Sequence, residues 1–211
     1  DHPLASFPIP LPSESPYMLL VGPVRDAETG GVGLANAEWG VPNTPNARFH
    51  IASVSKMFTA ALVLQLVEDG LVDLNAPIST YLPYVRRDFA DQVTTHQLLS
   101  HTSGIPDYVR IPNFDAVRRD PHTPEELLAL VDSLPLDFEP GTQTGYSNTA
   151  FVLLGLVIEA RTEMPLAMAY RNRLFMPLGM EGTAYDDGRV VLPQSGGRVR
   201  AGVRPDRLMS G

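Results

Sequence analysis

The chain has 211 residues, 44% of them hydrophobic and 19% charged, and a formal net charge of −8. These values fit a globular protein large enough for one core, and the acidic balance argues against a nucleic-acid partner. With no cysteine, disulfides, Cys-ligated zinc and thiol catalysis are excluded.

Residues Asp1 to Pro16 are Pro-rich and read as irregular chain. Tyr17 to Val24 and Val32 to Glu38 read as short strands, separated by a turn at Ala27-Glu28-Thr29-Gly30-Gly31.

Of the 16 cationic Lys and Arg side chains, only Lys56 is a lysine. Arg serves surface roles at least as well, whereas only Lys offers an amine that burial can bring to proton exchange near neutral pH. Ser53 stands three residues earlier in Ile51-Ala52-Ser53-Val54-Ser55-Lys56. Residues at this spacing meet on one side of a helical turn, so Ser53 and Lys56 are a candidate nucleophile and its partner. The following run, Met57 to Val67, is apolar on nearly every face and ends at Glu68-Asp69-Gly70. That pattern predicts a buried helix with Gly just past its end and a desolvated Lys56 amine. Its first turn also offers N–H groups to an oxyanion.

A short helix from Thr94 closes on Ser103-Gly104, where His101 reads as a residue satisfying turn backbone. Asp107 and Tyr108 follow at the edge of any cleft. Thr123-Pro124-Glu125-Glu126 forms a capping box with Pro at the first helical position, and apolar residues continue to Leu134. After Pro135 and Pro140, a turn-rich loop opens a helix from Thr149 to about Ala160, with Ser147 or Asn148 as its cap. Tyr146 and Asn148 lie two apart in non-helical chain, so both side chains face one way. Tyr170-Arg171-Asn172 has the same spacing but falls within a helix from Leu166 to Phe175, where such residues diverge.

Taken together, these blocks resemble the serine β-lactamase and penicillin-recognising superfamily, nearest to class C β-lactamases and related esterases, D-aminopeptidases and D,D-peptidases. The resemblance runs through Gly33-Leu34-Ala35-Asn36-Ala37-Glu38-Trp39-Gly40, the Ser53 to Lys56 string and Leu98-Leu99-Ser100-His101-Thr102-Ser103-Gly104-Ile105-Pro106. It continues in Tyr146-Ser147-Asn148 and Pro177-Leu178-Gly179-Met180. It implies an α+β, β-lactamase/transpeptidase-like fold, an antiparallel sheet with a helical lobe. Residues 1–52 would supply sheet and residues 53–211 the nucleophile helix and lobe of a single domain. It also implies Ser53 as the acylated nucleophile, Lys56 as its partner and Tyr146 as general base and acid. Asn148 would orient substrate, and the Ser53 N–H would form half of an oxyanion hole. Tyr108 is the further candidate for substrate contact. The substrate would be a small-molecule or peptide acyl compound, with no metal or organic cofactor, in an extracytoplasmic setting.

One motif departs from the family pattern. No Lys-Thr-Gly and no His-x-Gly occurs before Gly211, so the chain reads as lacking the C-terminal strands of its domain, a missing part that would itself be a partner. No apolar stretch reaches membrane-spanning length. The five His show no metal-ligand spacing. Two rivals remain: a non-catalytic binding or regulatory module of the same superfamily, and a pyridoxal-phosphate enzyme, which would need far more than 55 residues before its lysine.

Overall fold

A computed structural model describes residues 17–21, 28–37, 39–45, 47–112, 114 and 122–186. The described residues up to Ile51 form one compact unit and those from Ala52 onward another.

In the first unit, β1 (Tyr17–Val21) pairs antiparallel with β2 (Glu28–Val32), Leu19 opposite Gly30. A second antiparallel pair joins β3 (Leu34–Asn36) to β4 (Val41–Pro42). The segment expected as a turn, from Glu28 to Gly31, is therefore strand. Its glycines explain both the expectation and the error. A Cβ on Gly31 would stand 2.5 Å from the Asn43 carbonyl oxygen, so Gly is needed for close backbone approach rather than for a bend. Gly33, at φ 76°, breaks the expected Val32–Glu38 strand into the end of β2 and the start of β3. The Trp39 N–H donates to Asn36 Oδ1 at 2.9 Å between β3 and β4. The N-terminal segment expected to be irregular, Asp1 to Pro16, lies outside the described residues.

The second unit is helical among its described residues. Ala52–Val54 make one 3-10 turn that leads into α1 (Ser55–Glu68). Then come α2 (Arg87–Ala90), α3 (Thr95–Leu99), α4 (Pro124–Ala129), α5 (Asn148–Thr162) and α6 (Leu166–Tyr170), the last running on into a wide π turn at Arg171–Phe175. The cap read from sequence at Thr123 is present, and Thr94, expected only as a helix start, is a cap as well. Thr94 with Gln97 and Thr123 with Glu126 both form reciprocal capping boxes. Helix α4 stops at Ala129, earlier than the apolar run to Leu134 implies, and Leu130 onward becomes turn. Gly70, at φ 70°, follows α1 as expected.

Helices α1 and α5 build the core. Leu62, Val63 and Leu66 pack with Leu153, Leu154, Val157 and Ile158, all fully buried. Each such side chain contributes on the order of 1.5–3 kcal/mol by leaving water. Lys56 contacts Asn148 at the start of both helices, and Arg161 near the end of α5 donates to the Leu71 carbonyl just past α1 at 3.0 Å. The two helices thus run side by side in the same direction. Their N-termini, each the positive end of a helix dipole, open at the same end of the unit.

The expectation that α1 is buried on all sides fails. Met57 is 71% and Leu64 47% exposed, and Lys56 is half-buried. The described neighbours of α1, helix α5 and the π turn, cover only the side carrying Thr59, Leu62, Val63 and Leu66.

Candidate active site

Ser53 lies in the 3-10 turn and Lys56 in the first turn of α1, so their spacing of three brings the side chains together. The Lys56 amine donates to Ser53 Oγ at 3.4 Å and to Asn148 Oδ1 at 2.7 Å. It also sits 5.0 Å from the ring centre of Tyr146 and 5.4 Å from that of Phe151, within cation–π reach. Ala52, directly before Ser53, takes φ 45°, a strained value for a residue with a Cβ.

Tyr146 arrives on the loop before α5. Ser147 is extended and caps the helix, accepting from the Ala150 N–H. This keeps Tyr146 outside the helix while Asn148 becomes its first residue. The Tyr146 hydroxyl donates to Ser53 Oγ at 2.7 Å. Burial pushes its pKa up, but bonds from Lys56 and Ser53 and the Lys56 charge outweigh that, against an opposing push from Asp107. The net result lies below the ordinary 10.0. Lys56 itself is half-buried rather than hidden from solvent.

The loop carrying Tyr146 is stitched to the segment after α3. Gly141 N–H donates to Thr102 O at 2.7 Å, Gly145 N–H to His101 O at 2.8 Å and Asp137 N–H to Gly104 O at 2.8 Å. The His101 ring stacks 4.5 Å from Tyr146 and 5.1 Å from Phe151, and its Nδ1 accepts from the Ser147 N–H at 3.3 Å. Burial, then the Lys56 charge, lowers the His101 pKa, with Asp107 opposing. His101 therefore stays neutral as a hydrogen-bond acceptor beneath Tyr146.

Asp107 is a feature that sequence reasoning placed only at the cleft edge. It is 7% exposed, and its carboxylate accepts from the Asn148 N–H, the Val109 N–H and the Asn148 side-chain amide, the last at 3.0 Å on Oδ2. Tyr108, the neighbouring candidate, is tied by its N–H to Thr149 Oγ1 at 3.0 Å, with its ring 5.7 Å from Phe114. It stands beside the hydrogen-bonded set rather than within it. The decoy pair diverges: the buried Tyr170 hydroxyl shares a 2.5 Å bond with Thr59, while exposed Asn172 reaches Met164. Among the described residues no group of His, Cys or acidic side chains could hold a metal, and no helix is long and apolar enough to cross a membrane.

Residues 21–208 match the beta-lactamase family. The chain belongs to that family. Similar proteins include esterase EstB of Burkholderia gladioli, 35% identical over 81% of this chain and 49% of the esterase. A solved penicillin-binding protein from Bacillus halodurans is 32% identical with a TM-score of 0.70, covering 80% of this chain and 53% of that one. D-amino acid amidase from Ochrobactrum anthropi SV3 is 33% identical with a TM-score of 0.68, over 78% and 45%. These relatives carry the β-lactamase/transpeptidase-like fold, in which this family member shares a helical lobe and small antiparallel sheet pieces. The chain spans about half the length of the esterase.

Proposed function

We propose that this family member is a serine hydrolase that cleaves an ester, amide or lactam through an acyl-Ser53 intermediate. The observation that carries the reading is the 2.7 Å contact between the Tyr146 hydroxyl and Ser53 Oγ, with the Lys56 amine against both. Once Tyr146 has lost its proton, a step eased by the lowered pKa, its oxygen accepts the Ser53 proton as Oγ attacks the substrate carbonyl. The carbonyl oxygen gains negative charge near the helix N-terminus, with the Ser53 N–H as one donor. Tyr146 then gives the proton to the departing amine or alkoxide. A water molecule, deprotonated by Tyr146, attacks the acyl group and releases Ser53 with its proton restored.

In this reading Asn148 serves first as the holder of Lys56, and with Tyr108 it lines the approach of substrate. The esterase and the D-amino acid amidase among the relatives support small esters and D-amino acid amides as first substrates. A non-catalytic binding module of the same superfamily is the second reading.

A fluorophosphonate probe followed by intact-protein and peptide mass measurement decides between them. The longest natural polypeptide carrying this sequence, and residues 1–211 alone, are treated side by side. The hydrolase reading expects one label on Ser53 of the long form, lost in Ser53→Ala. No label on the long form overturns it in favour of the binding module.

A further inference from the structure

We propose that Asp107 is a positioning residue that fixes the orientation of the Asn148 side chain and, through it, the place of the Lys56 amine. The proposal rests on the serine-hydrolase reading for its consequence in catalysis and on the geometry for its mechanism.

The Asn148 carboxamide bridges two opposite charges. Its oxygen accepts from Lys56 Nζ at 2.7 Å, and its nitrogen donates to Asp107 Oδ2 at 3.0 Å and Oδ1 at 3.3 Å. Turned by 180°, the amide would put its oxygen against a carboxylate and its N–H groups against an ammonium, two repulsive contacts in place of two charge-assisted bonds. Asp107 thereby selects one of the two orientations. Lys56 has no carboxylate among its hydrogen-bond partners given above, so the negative charge of Asp107 reaches it through the polarised amide.

Asp107 is itself held rigidly. It is buried, accepts the first N–H of α5 from Asn148 at 3.2 Å and caps its own 3-10 turn through Val109 at 3.3 Å. Thr149 Oγ1 donates to the Pro106 carbonyl at 2.7 Å and accepts from Tyr108 N–H at 3.0 Å, clamping the same loop to the same helix turn. An anion at a helix N-terminus is also favourable for stability. The test must therefore separate a general structural role from one exerted through Asn148.

The test compares Ser53 labelling rates in the longest natural polypeptide for wild type, Asp107→Asn, Asn148→Ala and the double variant. Each single change is expected to slow labelling by about 10- to 100-fold, the scale of a small misplacement of a catalytic group. The double variant is expected to be no slower than Asn148→Ala, because Asp107 acts through the group already removed. Losses that multiply, or an Asp107→Asn variant as fast as wild type, overturn the proposal. Should Asp107→Asn fail to fold, Asp107→Glu, which keeps the charge but displaces its oxygens, makes the same comparison.

A second readout does not depend on reactivity. The side-chain amide signal of Asn148 in a nitrogen-15 NMR spectrum, assigned by its loss in Asn148→Ala, is expected to shift in Asp107→Asn while the Ala150 amide stays in place. An unmoved Asn148 signal overturns the proposal whatever the rates. If wild type takes no label, the hydrolase reading fails, and this signal still decides the role of Asp107.

Discussion

The hydroxyl of Tyr146 meets Oγ of Ser53 at 2.7 Å across 93 residues of sequence. A single proton shift along that line would convert an inert alcohol into a nucleophile. In Tyr146→Phe the ring stacking on His101 survives and only the proton acceptor is lost, so Ser53 labelling is expected to slow by about 10²–10⁴-fold. In the proposed mechanism the Tyr146 phenolate is the active form, so the wild-type labelling rate should rise with pH to a plateau, its midpoint below 10.0 because the Tyr146 pKa is depressed. A stopped-flow or quenched labelling series against pH measures both. A rate that is flat with pH would remove Tyr146 from the base role.

Lys56→Arg keeps the charge and changes its shape. A planar guanidinium cannot take the compact place of an amine that reaches Ser53 Oγ, Asn148 Oδ1 and the Tyr146 ring together. Labelling of Ser53 is expected to fall by at least about 10²-fold, with the far-ultraviolet circular dichroism unchanged. Turnover close to wild type would show that only the charge matters.

His101 makes stability depend on pH. Its folded pKa lies below the ordinary 6.5, so on acidification the unfolded chain takes up a proton first. The His101 contribution is complete above pH 6.5 and is lost as pH falls from 6.5 toward the folded value. Melting temperature measured from about pH 7 to about pH 5 should drop further for wild type than for His101→Phe, which keeps a ring but does not titrate. Identical pH slopes would dismiss the effect.

Gly104 should tolerate no side chain. It takes φ 72°, and a Cβ there would lie 2.0 Å from the Phe138 carbonyl oxygen. Backbone strain alone costs about 1–3 kcal/mol, and the collision adds to it. Gly104→Ala is expected to lower the melting temperature and, by disturbing the strap that carries Tyr146, to slow Ser53 labelling. Scanning calorimetry measures the first effect.

Local rules account for much of what the sequence made legible. The spacing of three between Ser53 and Lys56, the Thr123 cap and the extended residue between Tyr146 and Asn148 are all set by neighbours in the chain. The work of Asp107 was invisible because it depends on a partner 41 residues away, and no local pattern distinguishes an Asp that caps its own turn from one that also steers an amide. The strand at Glu28–Val32 was missed for the opposite reason: two consecutive glycines mimic a turn unless the backbone passing close to Gly31 is known. Apolar composition likewise overstated the burial of α1, because a residue such as Met57 reveals its hydrophobicity but not whether a neighbour covers it.

The distance in sequence between the Tyr146 and Ser53 hydroxyls has a consequence for the history of each molecule. Contacts between remote segments form late and slowly, so a chain still emerging from the ribosome, or one opened by heat, carries only an ordinary serine at position 53. Reactivity would then act as a certificate of completed folding, and the fraction of molecules that a serine-directed probe can tag would count those that have reached the native state.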